Sequence, residues 1–180
     1  MSSRNTVIRS FHDIGLAAWF GGSLMGAVGL NGAATAAHDP SERLRLSSIG
    51  WAKWAPVQLG ALVLHGIGAI GLVGANKSRL AVQSEARSNS VVKTVVTVAA
   101  GASSLYSGIL GTRIAKHADE GAEGVTTPGD DSSPELASVQ RQQRILQWVT
   151  PALTLVLVVL TAQQGEQQRP FAGLLHRLGR

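Results

Sequence analysis

The sequence predicts an all-α integral membrane protein, a four-helix bundle with short interfacial helices. Four stretches of the 180-residue chain contain no Asp, Glu, Lys or Arg: residues 14–37, 54–76, 94–112 and 145–165. Each reaches the roughly 17–25 residues that an α-helix needs to cross the hydrocarbon core of a bilayer. Charged residues make up 15% of the chain and lie almost wholly between these stretches. A helix of a soluble bundle would instead carry charges along its whole outer face.

The first two membrane helices are predicted over about 7–37 and 55–76. In the link between them, Asp39 is a typical N-cap, Pro40 suits the first helical position and Glu42 suits the first turn. The apolar positions 44, 46, 49 and 51 predict a short helix at the membrane interface.

The third membrane helix is predicted over about 91–112, and the fourth ends near 165 after starting at 134 or at 145. Between them, residues 117–133 are acidic and rich in Gly, Ser, Thr and Pro, so we expect a mobile loop. The basic, partly apolar tail over 169–180 is expected to lie at the interface. The whole chain, 1–180, is expected to form a single transmembrane domain.

Charge and aromatic placement indicate how the bundle lies in the membrane. Lys and Arg show a slight excess on the side of the two termini, so we expect both termini in the cytoplasm and a multi-pass protein of the bacterial plasma membrane. Trp51, Trp54, Tyr106 and Trp148 are expected as an aromatic belt at the outer boundary. The net charge of +5 suits contact with phospholipid headgroups. The basic residues are dispersed, and we expect no nucleic-acid partner.

Small residues recur at helical spacing in the first and third membrane helices. Such residues let helix backbones approach closely in lipid, where the hydrophobic effect adds little to association. The fourth helix is bulky nearly all round, so it is expected to be more peripheral than the other three. The predicted helix-packing residues are Gly15, Ala18, Gly22, Gly26, Gly29 and Ala33 in the first helix, with Ala100, Ser104, Gly108 and Gly111 in the third.

Two histidines are candidates for buried polar or ligand-binding residues. His65 lies near the middle of the second helix, where an ionisable side chain suggests function. His12 precedes Asp13 in the first turns of the first helix, where a carboxylate complements the helix dipole. Helix rise puts these histidines on the order of 15–20 Å apart in depth, so we expect no shared ion. No histidine has the spacing of a metal motif, and the chain has no cysteine. We expect neither a catalytic residue nor a metal site.

The opening of the first helix, a histidine followed by "AAWFGG", resembles the first helix of small four-helix bacterial membrane families. One of these is the copper-resistance-D-like group, in which a Trp-x-Gly-Gly follows an early histidine. The composition and four-helix plan also resemble small actinobacterial membrane proteins whose function is not assigned. Such proteins are similar to accessory subunits of respiratory supercomplexes. The resemblance implies a respiratory assembly as the host of this chain.

From these features we expect a non-catalytic accessory or assembly subunit of a larger membrane complex, with a respiratory complex as the expected host. Its partners would be other integral membrane subunits and phospholipids. No resident cofactor is expected beyond bound lipids. Two alternatives stay open: a small haem- or quinone-associated redox protein that uses His65, and a homo-oligomeric small transporter or channel.

Overall fold

The computed structural model describes the backbone of residues 5–178 and the side chains of 5–77, 81–84 and 87–163. The helices in chain order are α1 (Thr6–Met25), a π-helical turn (Gly26–Leu30), α2 (Asn31–Thr35), α3 (Pro40–Ala75), α4 (Lys77–Val82), α5 (Ser84–Lys116), a short 3₁₀ turn (Ala118–Glu120) and α6 (Pro134–Leu178). Four helical spans are long and apolar enough to cross a membrane: Thr6–Thr35, Pro40–Ala75, Arg87–Lys116 and Pro134–Gln163. The predicted all-α fold of a multi-pass membrane protein is confirmed.

The second span is longer than predicted at its start. Asp39 Oδ1 accepts the Ser41 N–H at 2.8 Å, which caps α3, and Pro40 is its first residue. Residues 44–51, expected as a separate interfacial helix, are the early turns of α3. The helix continues through Pro56. This proline lacks an N–H, so one backbone hydrogen bond is missing, but the helix does not end there.

The first span changes its buried face at the π-helical turn. A π-helical turn holds one residue more than an α-helical turn. The buried positions after it therefore come one residue later in the sequence than a regular α-helix would place them. Before it, Gly15, Trp19 and Ser23 are buried; after it, Asn31 and Ala34 are buried. Ala33, predicted as the last residue of the small-residue stripe, is therefore exposed.

The fourth span is part of the core of the bundle rather than peripheral. α1 packs against α3, α5 packs against α6, and α6 also packs along α1. Thr150, Thr154 and Leu157 of α6 are buried. The expectation of a peripheral helix was wrong, because the bulky residues lie on the outer face and hide a narrow polar face that points inward.

The tail over 169–180, predicted to lie at the interface, comes after the last residue whose side chain the structure describes. The backbone of α6 continues into it as far as Leu178.

Two hydrophobic clusters lie at different levels of the bundle. The first, which we call the loop end, joins α3, α5 and α6 to the connecting loop through Leu44, Leu110, Ile114, Ala122, Leu136 and Val139. The second joins α1, α3 and α5 around Trp19, Ala61 and Ala100. It lies next to His12 and His65, and we call this region the histidine end.

Candidate functional site

At the histidine end, α1 and α3 approach until their backbones touch. A Cβ atom at Gly15 would lie 2.5 Å from His65 N and 2.6 Å from Ala61 O. A Cβ atom at Gly68 would lie 2.3 Å from His12 N. Gly15 of α1 thus lies against the backbone of His65, and Gly68 of α3 lies against the backbone of His12. We call this contact, formed by Gly15, Gly68, His12 and His65, the histidine seam.

The two imidazole rings of the seam are in contact. Their centroids lie 4.4 Å apart with the ring planes tilted by 41°. Trp19 meets His65 edge-on, with 5.8 Å between the centroids. The expected separation of His12 and His65 in depth is therefore wrong. It was measured from the presumed membrane edges, whereas the glycine contacts set the register of α1 against α3.

Hydrogen bonds determine the tautomer of His65. His65 Nδ1 lies 3.2 Å from the backbone oxygen of His12, and a carbonyl oxygen only accepts, so Nδ1 carries the proton. The neutral ring then has a lone pair on Nε2. That atom is buried and has no hydrogen-bond partner among the described residues. His65 is 1% exposed.

His12 differs from His65 because it has an acidic partner. Its Nδ1 lies 2.8 Å from Asp13 Oδ1, and the Asp13 side chain is 48% exposed. Arg9 of α1 and Lys93 of α5 are close enough to act electrostatically on His12. The seam thus lies among two cationic groups and one carboxylate.

Trp19 ties this region to α5. Its Nε1 donates to Ser104 Oγ at 2.9 Å, and Ala100, one turn earlier on α5, is fully buried beside Trp19. Ala18 packs against the same cluster. The predicted packing residues Ala18, Ala100 and Ser104 therefore lie around Trp19, and the last two join α5 to it.

The remaining predicted packing glycines fall into three groups. A Cβ atom at Gly22 would come within 2.0 Å of the Trp54 ring, and one at Gly26 within 2.1 Å of the Trp51 ring. Two tryptophans expected in an outer aromatic belt thus pack on glycines of the first span. A Cβ atom at Gly29 would meet the Met25 side chain of its own helix. At Gly108 and Gly111 it would meet no described atom within 4 Å, so these two face outward.

A polar junction forms where the first span nears the loop end. Asn31 Nδ2 donates to Gln147 Oε1 at 3.0 Å, while Asn31 Oδ1 accepts from Ser47 Oγ at 3.0 Å and from Trp51 Nε1 at 2.9 Å. This asparagine joins α2, α3 and α6. The prediction missed it, although an asparagine inside an uncharged stretch is a detectable signal.

The polar face of α6 was also missed. Ser103 and Thr150 share a hydrogen bond of 2.9 Å, and Gln143 Nε2 donates to Ser107 Oγ at 2.7 Å. Steps of three and four residues place the inward-facing polar side chains on one stripe, which periodicity could have shown. These residues are Gln140, Gln143, Gln147, Thr150 and Thr154.

The acidic loop makes defined contacts with the loop end. Arg43 donates to the carbonyl oxygens of Ala37, Ala122 and Glu123 at 2.8, 3.1 and 2.8 Å. Gln140 Nε2 donates to those of Gly124 and Val125, both at 3.0 Å. How far the loop moves stays a prediction.

Two carboxylates outside the membrane spans are held in their charged form. The Ser133 N–H donates to Glu120 at 2.9 Å, and this bond, with His117 beside the same carboxylate, lowers the pKa of Glu120. The Ser41 hydroxyl and N–H lower the pKa of Asp39 in the same way. Both groups act at the ends of helices, where they bind backbone or hydroxyl donors.

Within the described ranges, no three His, Asp or Glu side chains are grouped so that they could hold a metal ion. The chain matches no family model, no curated protein and no solved structure.

Proposed function

We propose that this protein is a non-catalytic accessory or assembly subunit of a larger membrane complex. The observation that carries the proposal is that interior polar side chains form hydrogen bonds between the helices. They bind one another between helices, as in Trp19 with Ser104, Asn31 with Gln147 and Gln143 with Ser107. Their hydrogen-bonding capacity serves to hold the four spans together.

The outward surface supports the same proposal. Large apolar side chains cover the exposed faces, among them Ile70 of α3, 76% exposed, and Leu105 of α5, 70% exposed. Next to Leu105 on α5, Gly108 and Gly111 leave a shallow surface. A neighbouring transmembrane helix packs well on such a surface because its backbone can come close. We propose a respiratory assembly of the bacterial plasma membrane as the host, with both termini of this chain in the cytoplasm.

The packing around His65 favours a structural role over haem or quinone binding. The imidazole is 1% exposed and lies against the rings of His12 and Trp19, while the main chain of His65 lies against Gly15. A planar ligand could reach Nε2 only if these groups moved. The unpartnered Nε2 therefore has a different consequence, developed in the next subsection.

Purification from native membranes tests the proposal. The chain, tagged at its C-terminus and extracted in mild detergent, is expected to bring down other membrane subunits in constant ratio. A homogeneous protein that purifies alone would contradict the proposal, and a stable homo-oligomer would favour a channel.

Two matched variants sharpen this test. Gly108→Leu on α5 and Gly60→Leu on α3 both add a side chain where no described atom lies within 4 Å, so both should leave the bundle folded. We expect Gly108→Leu to reduce co-purification several-fold and Gly60→Leu to leave it unchanged. An equal effect of the two variants would contradict a docking role for α5.

A further inference from the structure

We propose that His65 acts as a proton-controlled latch: the neutral imidazole keeps the histidine seam closed, and the protonated imidazole opens it. This inference goes beyond the proposed accessory role and does not depend on it. It rests on the unequal surroundings of the two ring nitrogens of His65.

The neutral ring fits the closed seam. Nδ1–H donates to the backbone oxygen of His12 at 3.2 Å, across the contact between α1 and α3. Nε2 needs no acceptor in this tautomer, because it carries a lone pair. The one hydrogen bond that the neutral ring must donate is therefore also a link between the two helices.

The protonated ring does not fit. A second N–H would appear at Nε2, where no described residue offers an acceptor. A buried donor without an acceptor destabilises the packed state. The titratable groups that act electrostatically on His65 are His12 and Asp13 from α1 and Lys93 from α5, and Arg9 of α1 acts on His12. Asp13, the one carboxylate among them, is bonded to His12.

The helices are packed so closely at the seam that they leave no space for water beside a charged ring. Gly15 and Gly68 place backbone against backbone, and the His65 ring, 1% exposed, lies against the rings of His12 and Trp19, so we infer that it reaches water only when α1 and α3 separate. His12 differs, because protonation of its ring strengthens its contact with Asp13. The structure thus assigns the opening to one histidine of the pair.

Distance measurements across the seam test the latch. The chain has no cysteine, so Ile14→Cys and Ile70→Cys introduce the only two thiols for spin labels. Both positions are exposed, at 59% and 76%. In lipid nanodiscs, the distance between the labels is expected to lengthen reversibly by several ångström when the pH falls from about 8 to about 4.

Two matched variants identify the group responsible. His65→Asn keeps an uncharged donor near the His12 carbonyl and should abolish the change in distance. His12→Asn should keep it. An unchanged distance in the parent chain, or an equal change in His65→Asn, would overturn the proposal.

A direct measurement covers the case in which His65→Asn fails to fold. The ¹⁵N resonance of His65 Nε2 in the otherwise unmodified labelled chain is expected to titrate over the same pH interval as the distance change. A distance change while Nε2 stays unprotonated, or protonation without a distance change, refutes the latch.

Discussion

The loop end and the histidine end hold the same helices together by opposite means. At the loop end, long polar side chains cross gaps: Arg43 reaches backbone carbonyl oxygens of the connecting segments, and Asn31 binds side chains of two other helices. At the histidine end, glycines remove the gap, and Gly15 and Gly68 bring backbones into contact. The loop end thus adds long-reaching hydrogen bonds to its hydrophobic cluster, whereas the histidine end adds a close backbone fit that tolerates no added atom at Gly15 or Gly68.

The largest effect is expected at the close backbone contact between α1 and α3. Gly68→Ala adds a Cβ atom 2.3 Å from His12 N, and backbone cannot rotate away as a side chain can. We expect a loss of about 3 kcal/mol in the free energy of unfolding, the upper part of the range for overpacked sites. Thermal unfolding in detergent measures it.

Gly66→Ala is the matched control for this substitution. Gly66 lies on the same helix, and a Cβ atom there meets no described neighbour within 4 Å. The better helix propensity of alanine should stabilise this variant by about 0.5 kcal/mol. Equal destabilisation by both substitutions would show that the α1–α3 contact is not as close as described.

The next largest effect is expected at the polar junction. Asn31→Leu removes the partner of Ser47, Trp51 and Gln147, and we expect a loss of about 2 kcal/mol in the free energy of unfolding. Gln58→Leu takes the acceptor from Trp54 within α3 alone and should cost about 0.5 kcal/mol. If the two losses were alike, contacts between helices would add nothing beyond those within one helix.

Opening of the loop should be a smaller and local effect. Arg43→Met keeps the apolar stem of the side chain and removes the donors to Ala37, Ala122 and Glu123. Local opening should become easier by about 1–2 kcal/mol. Limited proteolysis within residues 121–133 reports this, with Arg45→Met, at an exposed position, as the control. Unaltered cleavage in Arg43→Met would contradict a loop held by this arginine.

The smallest effect is the acid sensitivity of the loop end. Because the pKa of Glu120 is lowered in the folded state, its contribution to stability is present above the ordinary value of 4.5 and is lost as the pH falls below it. Cleavage of the loop should therefore rise in this acid range. In the Glu120→Gln variant, the loop should be cleaved faster at neutral pH, and the cleavage rate should depend less on pH in the acid range. A variant with the same pH profile as the parent would assign the effect to another group.

The sequence carried enough information for the spans and for one helix start. Uncharged stretches define the four membrane helices, because a charged side chain is costly in lipid however the helices pack against one another. Asp39 and Pro40 define the start of α3, because capping is local in sequence. Neither result requires knowledge of how one helix sits against another.

The candidate site could not be predicted to the same degree, because it depends on register. His12 and His65 meet only when Gly15 and Gly68 set how far α1 slides along α3. Depth counted from the ends of uncharged stretches missed this, since α3 starts at Pro40, well before the stretch that begins at 54. The roles of Asn31 and of the α6 polar stripe could have been predicted from helical spacing alone.

The π-helical turn at Gly26–Leu30 has a consequence for changes in chain length. It accommodates one surplus residue, so removal of Val28, which is 57% exposed, would leave an ordinary α-helix with Gly15 and Asn31 still on their present sides. Removal of Ala17 would instead turn every earlier residue by about 100° relative to the rest. The first span can therefore shorten at its wide turn while keeping its neighbours, a freedom that the regular helix on either side of that turn lacks.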